Sequence, residues 1–383
     1  MALKYSGVVL RGSGRTGDPA VSTIIRSTAT GGTENNEIGV ECPIRIGSDD
    51  PTVNWETRVG NTIPVASVFV PAGSRRLTLK STAGLSVGDN IIIWHPCTQE
   101  WIAAIDHGGV NLDPPWAPGD EPIMYNRFIK AIQGNDIVIC APVSNDLDAS
   151  LSESFVYKWP DMNEVVNAGV ENLRVDMGDP DEQNEAHPDS CIVVSRSRDT
   201  WVRNVSTLHF KRSGVMVRRS HLFTNVWASQ ARHAFVSGGG AATAGVVWLD
   251  SRSNNGYLES GGHAHWSQGL LFDNVREELN SSDRLPVLNL HNRVDGGADE
   301  TAHAHGWSSV YSVLWNCTVD NNKQACVQRP PTSQNFAIGT AGRMGVVTGE
   351  NWLGVEKIGY EEHTNKAVKP VSLYRKQLAD RLA

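Results

Sequence analysis

One unusual set of side chains occurs at two positions in the chain. A His-Ala-His triplet followed closely by Trp occurs in GGHAHWSQG, residues 261–269, and again in AHAHGWSSV, residues 302–310. Imidazoles change protonation near neutral pH, so they serve as general acids, general bases or metal ligands. Trp offers a broad apolar ring face with one polar N–H group. The pattern therefore indicates a site for proton transfer or metal binding beside a surface on which sugar rings can stack.

Other titratable residues lie in the same part of the sequence. In a strand, alternate side chains point to the same face, so the two triplets predict four imidazoles on one face. The candidate catalytic residues are His233, His265, His305, Arg232, Arg293 and Glu259. The candidate substrate-binding residues are His263, Trp266, His291, Asn292, His303 and Trp307.

These residue types favour β-elimination on an acidic polysaccharide. In a uronate unit, a base removes the C5 proton once the adjacent carboxylate is neutralised, and the 4-linked sugar then leaves. His suits the base and Arg suits the carboxylate, so we expect His233, His265 or His305 to be the base and Arg232 and Arg293 to bind the carboxylate.

Three alternatives remain open. Hydrolysis would require two carboxylates roughly 5 to 9.5 Å apart. For that reaction, Glu259 has the possible partners Asp250, Asp295, Asp299 and Glu300. A His-x-His pair with Glu259 resembles a zinc ligand set, although no metal ligand is assigned. A carbohydrate-binding module without activity would explain the tryptophans but not the imidazoles.

A marker residue recurs along the second half of the chain. It is Asn in VENLRV, WVRNVS, LFTNVW, LFDNVR and VLWNCTV, and Asp250 occupies the corresponding place in VVWLDS. Asn204 and Asn225 are 21 residues apart, and Asn225 and Asn274 are 49 apart with Asp250 nearly midway. This period suits one coil of a parallel β-helix, and a stacked Asn tolerates the left-handed backbone of a tight corner. A β-sandwich would not place Asn once in each repeat.

Stacked coils would bring the triplets together. His265 precedes Asn274 by nine residues, and His305 precedes Asn316 by eleven. His233 precedes Asp250 by seventeen. The spacing therefore supports a shared face for two coils and makes it plausible for the third.

The first 160 residues follow another pattern. RRLTLKSTAGLSVGDNIIIWHP and RFIKAIQGNDIVICAPV predict hairpins, the second turning at QGND. We place an insertion at about residues 45–150, packed on the early coils of a single domain spanning 1–383. The Pro/Gly-rich loop at 108–122 is long for a compact domain, and we expect it to line a site. SLYRKQLADRLA, residues 372–383, predicts a short C-terminal helix.

Charge and hydropathy exclude two classes of partner. The formal net charge is −8, and no basic stripe is present to neutralise nucleic-acid phosphates. No apolar run approaches the roughly 20 residues needed to span a bilayer, and Met1 to Leu10 lacks the pattern of a signal peptide. We therefore expect a soluble chain without a nucleic-acid or membrane partner. Ca²⁺ is a possible cofactor of the acidic stretch at 176–189, and no other cofactor is expected.

The motifs together resemble a known superfamily. GVVLRGSG with TIIRS, the Asn-marked coils, ARHAFVSGG, HAHWSQGLLFDN, HGWSSVYSVLWNC, QNFAIG and SLYRKQL are similar to pectate-lyase-like right-handed parallel β-helix proteins. The resemblance covers most of the chain from about residue 160 onward. It implies an all-β solenoid that acts on a polysaccharide, outside the cell, as a monomer or homotrimer. It does not decide between lyase and hydrolase, because one fold supports many functions.

Overall fold

Parallel strands arranged in successive coils form most of the molecule. The structure is a computed structural model that describes residues 1–27, 42–48, 50, 54–109, 115–160, 163–178, 188, 190–210, 213–217, 221–230, 232–237, 240–263, 265–281, 286–293, 305–320, 323–345 and 358–383. Within these ranges two long parallel sheets, named sheet A and sheet B, face each other across an apolar core. The predicted all-β right-handed parallel β-helix, with inserted hairpins and a short C-terminal helix, is confirmed.

Sheet A has nine strands among the described residues, each contributed by a successive pass of the chain. In spatial order they are Ala2–Leu3, Ile44–Ile46, Ser190–Val194, Ser213–Val217, His233–Ser237, Ser260–Gly262, Leu288–Leu290, Gln324–Val327 and Arg343–Met344.

Sheet B has thirteen strands in the described part of the chain. Its main path is Val9–Arg11, Gly169–Asp176, Trp201–Leu208, Leu222–Ser229, Val247–Leu249, Leu271–Asp273, Val313–Trp315, Phe336–Ile338 and Tyr360–Glu362. Its remaining strands are Ile24–Arg26, Arg252–Asn254, Arg276–Glu278 and Thr318–Val319.

The predicted asparagine markers form the corner at which sheet B bends. The marker positions have left-handed φ values between +48° and +57°. They are Asn172, Asn204, Asn225, Asp250, Asn274 and Asn316. Neighbouring amides are hydrogen-bonded along the stack, with Asn204 donating to Asn172 at 2.8 Å and Asn225 donating to Asn204 at 3.1 Å. This Asn ladder sets the register of successive coils, because each amide donor meets the acceptor one coil below.

The interior is filled by apolar side chains that repeat at the same position on each coil. Phe223, Trp248 and Phe272 are in register on three successive strands. Their rings stack with centroid separations of 6.0 and 4.6 Å. Parallel strands buried on both faces need such continuous apolar packing, which explains their richness in Val, Phe and Trp.

An antiparallel sheet of six strands, named the inserted sheet, packs against one side of the β-helix. In spatial order its described strands are Val59–Pro64, Phe155–Lys158, Asn90–His95, Ile123–Gln133, Asp136–Ile139 and Arg76–Thr78. The predicted hairpin at QGND is confirmed, since Gln133 pairs with Asp136. A second apolar core joins this sheet to the β-helix and includes Trp101, Trp116, Trp266 and Trp307.

Short elements complete the described chain. Strand pairs outside the three sheets are Phe69–Val70 with Leu147–Asp148, Val165–Val166 with Ser197–Arg198, Ser267–Gln268 with Ser309–Val310, and Asn292–Arg293 with Gly306–Trp307. The helices are Gln99–Ala104 and Leu373–Leu382, and the 3-10 turns are Asp106–Gly108 and Gly240–Ala242. None of the described helices combines the length and apolar character needed to cross a membrane.

Candidate functional site

Four imidazoles from three passes of the chain form a continuous row, named the histidine cluster. The ring of His263 lies edge-on to those of His233 and His305, with centroid separations of 5.2 and 4.8 Å. His305 also stacks on His265, at 5.8 Å. The predicted convergence of these residues is therefore present in the structure.

The register between coils explains which histidines meet. Just before the parallel pairing of Ser267–Gln268 with Ser309–Val310, the backbone N–H of His265 donates to the backbone carbonyl of His305 at 3.1 Å. This contact holds the end of the first triplet beside the end of the second. His303, the other member of the second triplet, lies outside the described residues.

The Pro/Gly-rich loop of the insertion contributes two further side chains to the cluster. Trp116 lies edge-on to His265 at 5.7 Å, and the Glu121 carboxylate lies 3.2 Å from His265 Nδ1. The second oxygen of Glu121 accepts a hydrogen bond from the backbone N–H of Ala241 at 3.0 Å. Gly240 permits this approach because it has no side chain. A Cβ atom at this position would clash with the same oxygen, at a distance of only 2.4 Å. Glu121 is not among the predicted site residues, although its loop was predicted to line a site.

Arg293 and Glu259 form an ion pair beside the cluster. Arg293 Nε lies 3.0 Å from Glu259 Oε1, and Arg293 Nη1 donates to the backbone carbonyl of His263 at 2.9 Å. Burial alone would raise the pKa of Glu259, but the positive charge of Arg293, with smaller effects of His233 and His291, lowers it to about 2. Arg293 is therefore already engaged by protein groups, which argues against the predicted binding of a substrate carboxylate by this residue.

His233 has a defined tautomer. Its Nδ1 lies 2.7 Å from the backbone carbonyl oxygen of Glu259, and a carbonyl can only accept, so Nδ1 carries the proton. Burial, partly opposed by the charge of Glu259, lowers the pKa of His233 to about 4. The ring is therefore neutral at pH 7, with an unprotonated Nε2 that can accept a proton.

His291 and Asn292 stabilise the site from the next coil. The backbone carbonyl of His291 accepts two hydrogen bonds from Ser308, one from the backbone N–H at 3.0 Å and one from the side-chain hydroxyl at 2.7 Å. Asn292 Nδ2 donates to the backbone carbonyl of Gly109 at 2.6 Å. Both side chains are buried, and Asn292 thus links the β-helix to the insertion. This engagement argues against a direct role for Asn292 in substrate binding.

The tryptophans of the two repeats belong to the core between the inserted sheet and the β-helix. Trp266 is fully buried, packs edge-on against Trp101 and Trp116 at 5.5 and 6.4 Å, and donates its indole N–H to Asn145 at 2.9 Å. Trp307 is 6% exposed. Neither indole presents an open face to solvent, so the predicted stacking of sugars on Trp266 and Trp307 is not supported by this arrangement.

The cluster reaches the surface at one side. Arg232, Glu259 and His263 are half-buried, whereas the predicted bases His233, His265 and His305 are between 2% and 6% exposed. The charge of Arg232 makes a small contribution to the lowered pKa of His233. Among the imidazoles of the cluster, His263 is therefore the one most accessible to a ligand arriving from solvent.

The residues of the alternative mechanisms lie elsewhere. Asp250 is in the Asn ladder and forms an ion pair with Arg375, and Asp295, Asp299 and Glu300 lie outside the described residues. Within the part of the chain that the structure describes, no three His, Cys, Asp or Glu side chains are arranged to hold a metal ion.

Most of the acidic stretch predicted to bind Ca²⁺ also lies outside the described ranges. At its start, Asp176 contacts His209 at 2.8 Å and Arg174 at 2.9 Å. The hydrogen bond from His209 and the contact with Arg174 hold the pKa of this carboxyl well below its ordinary value. Asp176 is therefore an ionised group that pairs with Arg174 and contacts the ring of His209, and Ca²⁺ binding by this stretch stays a prediction.

Several phage tailspikes are among the solved structures to which the chain is similar. The tailspike protein gp49 from Pseudomonas phage LKA1 is 15% identical with a TM-score of 0.35, over 89% of this chain and 48% of that chain. The Gp54 tailspike of Acinetobacter baumannii bacteriophage AP22, in complex with A. baumannii capsular saccharide, is 10% identical with a TM-score of 0.39, over 95% and 61%. The Pseudomonas phage phi297 tailspike gp61 is 12% identical with a TM-score of 0.34, over 95% and 69%.

The chain thus spans about half of the first of these tailspikes and 61% of the second. The β-helix of this chain is evident from its own strand pairing. No protein-family model and no curated protein matches the sequence. The narrower resemblance to the pectate-lyase-like superfamily stays a prediction.

Proposed function

We propose that the protein is a polysaccharide lyase that cleaves a uronate-containing glycan by β-elimination at the histidine cluster. The observation that carries the proposal is a half-buried imidazole, His263, held between the rings of His233 and His305. A half-buried arginine, Arg232, directly precedes His233 in the chain. A base and a cation that are both reachable from solvent are what removal of a proton next to a carboxylate requires.

The roles differ from those that the sequence favours. His263 takes the C5 proton, because the three originally predicted bases are more deeply buried. Arg232 neutralises the uronate carboxylate, while Arg293 positions His263 through the hydrogen bond to its backbone carbonyl. The electron pair of the broken C5–H bond forms the C4–C5 double bond, the C4–O bond breaks, and the leaving oxygen takes a proton from water.

Neutral His233 supports this assignment. A charged imidazole next to His263 would disfavour proton uptake by His263, whereas the buried His233 is uncharged at neutral pH. Hydrolysis is less well supported, since Glu259 remains ionised above a pH of about 2 and is therefore a poor proton donor. Such polymers occur outside cells, so the proposal includes extracellular action, by a monomer or a homotrimer.

The test is to incubate the protein with acidic and neutral polysaccharides while recording reducing ends and the ultraviolet absorbance of the C4–C5 double bond. We expect both signals to rise together on an acidic polymer. His263→Ala should lower kcat at least about 100-fold, and Arg232→Ala should act mainly on KM. His363→Ala, at an exposed histidine paired with Glu362, is the matched control and should keep full activity.

The other outcomes contradict the proposal in different ways. Reducing ends without absorbance would identify a hydrolase. Binding without either product would identify a carbohydrate-binding module. Loss of activity on chelation, restored by zinc or calcium, would identify a metal-dependent site.

A further inference from the structure

A cavity of about 990 Å³ lies between the inserted sheet, sheet B and the C-terminal helix. It shares no residue with the histidine cluster. The inserted sheet contributes Asn126 and Phe128, sheet B contributes Trp201, and the helix contributes Tyr374 and Arg381. This volume is at the upper end of the roughly 300 to 1,000 Å³ typical of ligand pockets.

The lining of the cavity is positively charged, although the whole chain carries a net charge of −8. Its charged side chains are Arg127, Lys130, Arg198, Arg381, Glu164 and Asp199. Four cations thus face two carboxylates, a local excess of two positive charges. Both carboxylates lie next to Arg198, at 3.4 Å from Glu164 and 3.1 Å from Asp199. The charges of the other three cations therefore remain to attract an anion.

Arg127 provides a buried cation at the wall of the cavity. The residue is 9% exposed, and its guanidinium donates to the backbone carbonyls of Asn126, Ala141 and Pro142 at 2.7 to 3.3 Å. These acceptors are neutral, and no carboxylate among the described residues forms an ion pair with it. Burial lowers the pKa of Arg127 accordingly. An anionic group in the cavity would stabilise this charge.

The uncharged lining suits a sugar. The Trp201 ring lies against Gly169, where a Cβ atom would be 2.3 Å from the ring. The indole N–H of Trp201 donates to Glu171 at 2.7 Å. Phe128 and Tyr374 add two more aromatic rings. Asn126 Nδ2 is buried and donates to no group in the described part of the chain. Aromatic faces beside amide and cationic donors are suited to bind rings that carry hydroxyls and carboxylates.

We propose that this cavity is a second saccharide site that binds a segment of an acidic glycan. Carboxylates of the glycan are held by Lys130 and Arg381, the buried charge of Arg127 adds to the attraction, and the rings of the glycan pack on Trp201 and Tyr374. Binding here is independent of catalysis. Only the further step, in which the cavity anchors the polymer while the histidine cluster cleaves it, rests on the proposed function.

The experiment is calorimetric titration of the full chain with short oligomers of galacturonate, mannuronate and glucuronate, and with a neutral cello-oligosaccharide of equal length. We expect at least one acidic oligomer to bind and the neutral one to bind at least about tenfold more weakly. The double variant Lys130→Ala with Arg381→Ala should weaken acidic binding about tenfold or more. Lys376→Ala removes a cation from the same helix, at a residue paired with Asp380, and should change nothing.

The same titration with His263→Ala separates this proposal from the proposed function. Binding that persists in this variant and is lost in the double variant supports the second site, whether or not the protein is a lyase. The proposal is overturned if none of the acidic oligomers binds, if the double variant binds like the parent chain, or if inorganic phosphate competes as well as the oligomers do.

Discussion

A carboxyl group inside the β-helix makes stability depend on pH in an unusual direction. Glu277 lies in the strand Arg276–Glu278, in register with Ser253 on one neighbouring strand and Val319 on the other, and is 1% exposed. Burial raises its pKa to about 8, although Ser260, Ser253 and Asn280 partly counteract this effect. Glu277 is therefore mostly protonated at pH 7 in the folded protein.

The size of the effect follows from linkage. The unfolded chain has a Glu pKa of 4.5 and the folded chain one of about 8, so the folded state holds the proton more tightly. The gap of about 3.5 pH units, at about 1.4 kcal/mol for each, amounts to about 5 kcal/mol. This stabilisation is fully present below pH 4.5 and is lost progressively as the pH rises to about 8. The effect is large, because the whole free energy of unfolding of a typical domain is only about 5 to 15 kcal/mol.

Glu277→Gln tests this reasoning, because Gln has the shape of a protonated Glu and does not titrate. We expect the variant to be more stable than the parent at about pH 8 by several kcal/mol and nearly equal to it at about pH 5. Urea unfolding followed by Trp fluorescence at both pH values measures the difference. Glu278→Gln, at the adjacent half-buried carboxylate near Arg252, is the control. Equal pH slopes for the parent and Glu277→Gln would refute the argument.

Three further predictions follow from the geometry. Asn204→Ala removes two ladder hydrogen bonds and leaves a left-handed Ala, so we expect a loss of about 2 kcal/mol in urea unfolding; an unchanged midpoint would contradict a stabilising ladder. Gly109→Ala places a Cβ atom 2.3 Å from Asn292 Nδ2 at a φ of +75°, and should impair activity and shift Trp fluorescence, whereas Gly134→Ala, which has open space, should not. Glu121→Gln removes the charge partner of His265 and should lower activity about tenfold with an unchanged unfolding midpoint; full activity would exclude a positioning role.

The asparagine ladder and the hairpin at QGND were predictable because their causes are local. The hairpin predicted for RRLTLKSTAGLSVGDNIIIWHP is wrong, because Arg76–Thr78 pairs with Asp136–Ile139 and Asn90–His95 lies between two other strands of the inserted sheet. Asn is one of the few residues that tolerate the left-handed conformation, and its recurrence at about one coil length marks a stacked corner. The turn at QGND likewise depends on residues adjacent in sequence. The convergence of His263, His265 and His305 followed from the same repeat, since the coil period determines which segments lie above one another.

The exposure of each cluster residue was not predictable from the repeat. Trp266 follows His265 directly in sequence, but its indole is buried against Trp101 and Trp116 of the insertion. The coil period and the alternation of side chains along a strand predict which face of the strand a residue lies on. They do not predict which other element covers that face. For this reason the sequence predicted that His263 binds substrate and that His233, His265 or His305 is the base. The proposed function reverses these roles, because His263 is the more exposed residue.

Glu121 shows the same limit. It contacts His265 across 144 positions of sequence, and no motif around it indicates the partner. Its loop was predicted to line a site only because it is long and rich in Pro and Gly. The docking of the insertion depends on the combined packing of the second core, to which many distant residues contribute.

By itself, the sequence determined the solenoid, its coil register and the set of histidines that meet, because these depend on a repeated local pattern of turns and apolar positions. Only the tertiary structure decided which imidazole is reachable, which arginine is already paired, and that a cationic cavity forms beneath the inserted sheet. The physical reason is that exposure and charge pairing depend on how separate elements pack together, and that packing joins residues whose order in the chain carries no information about their contact.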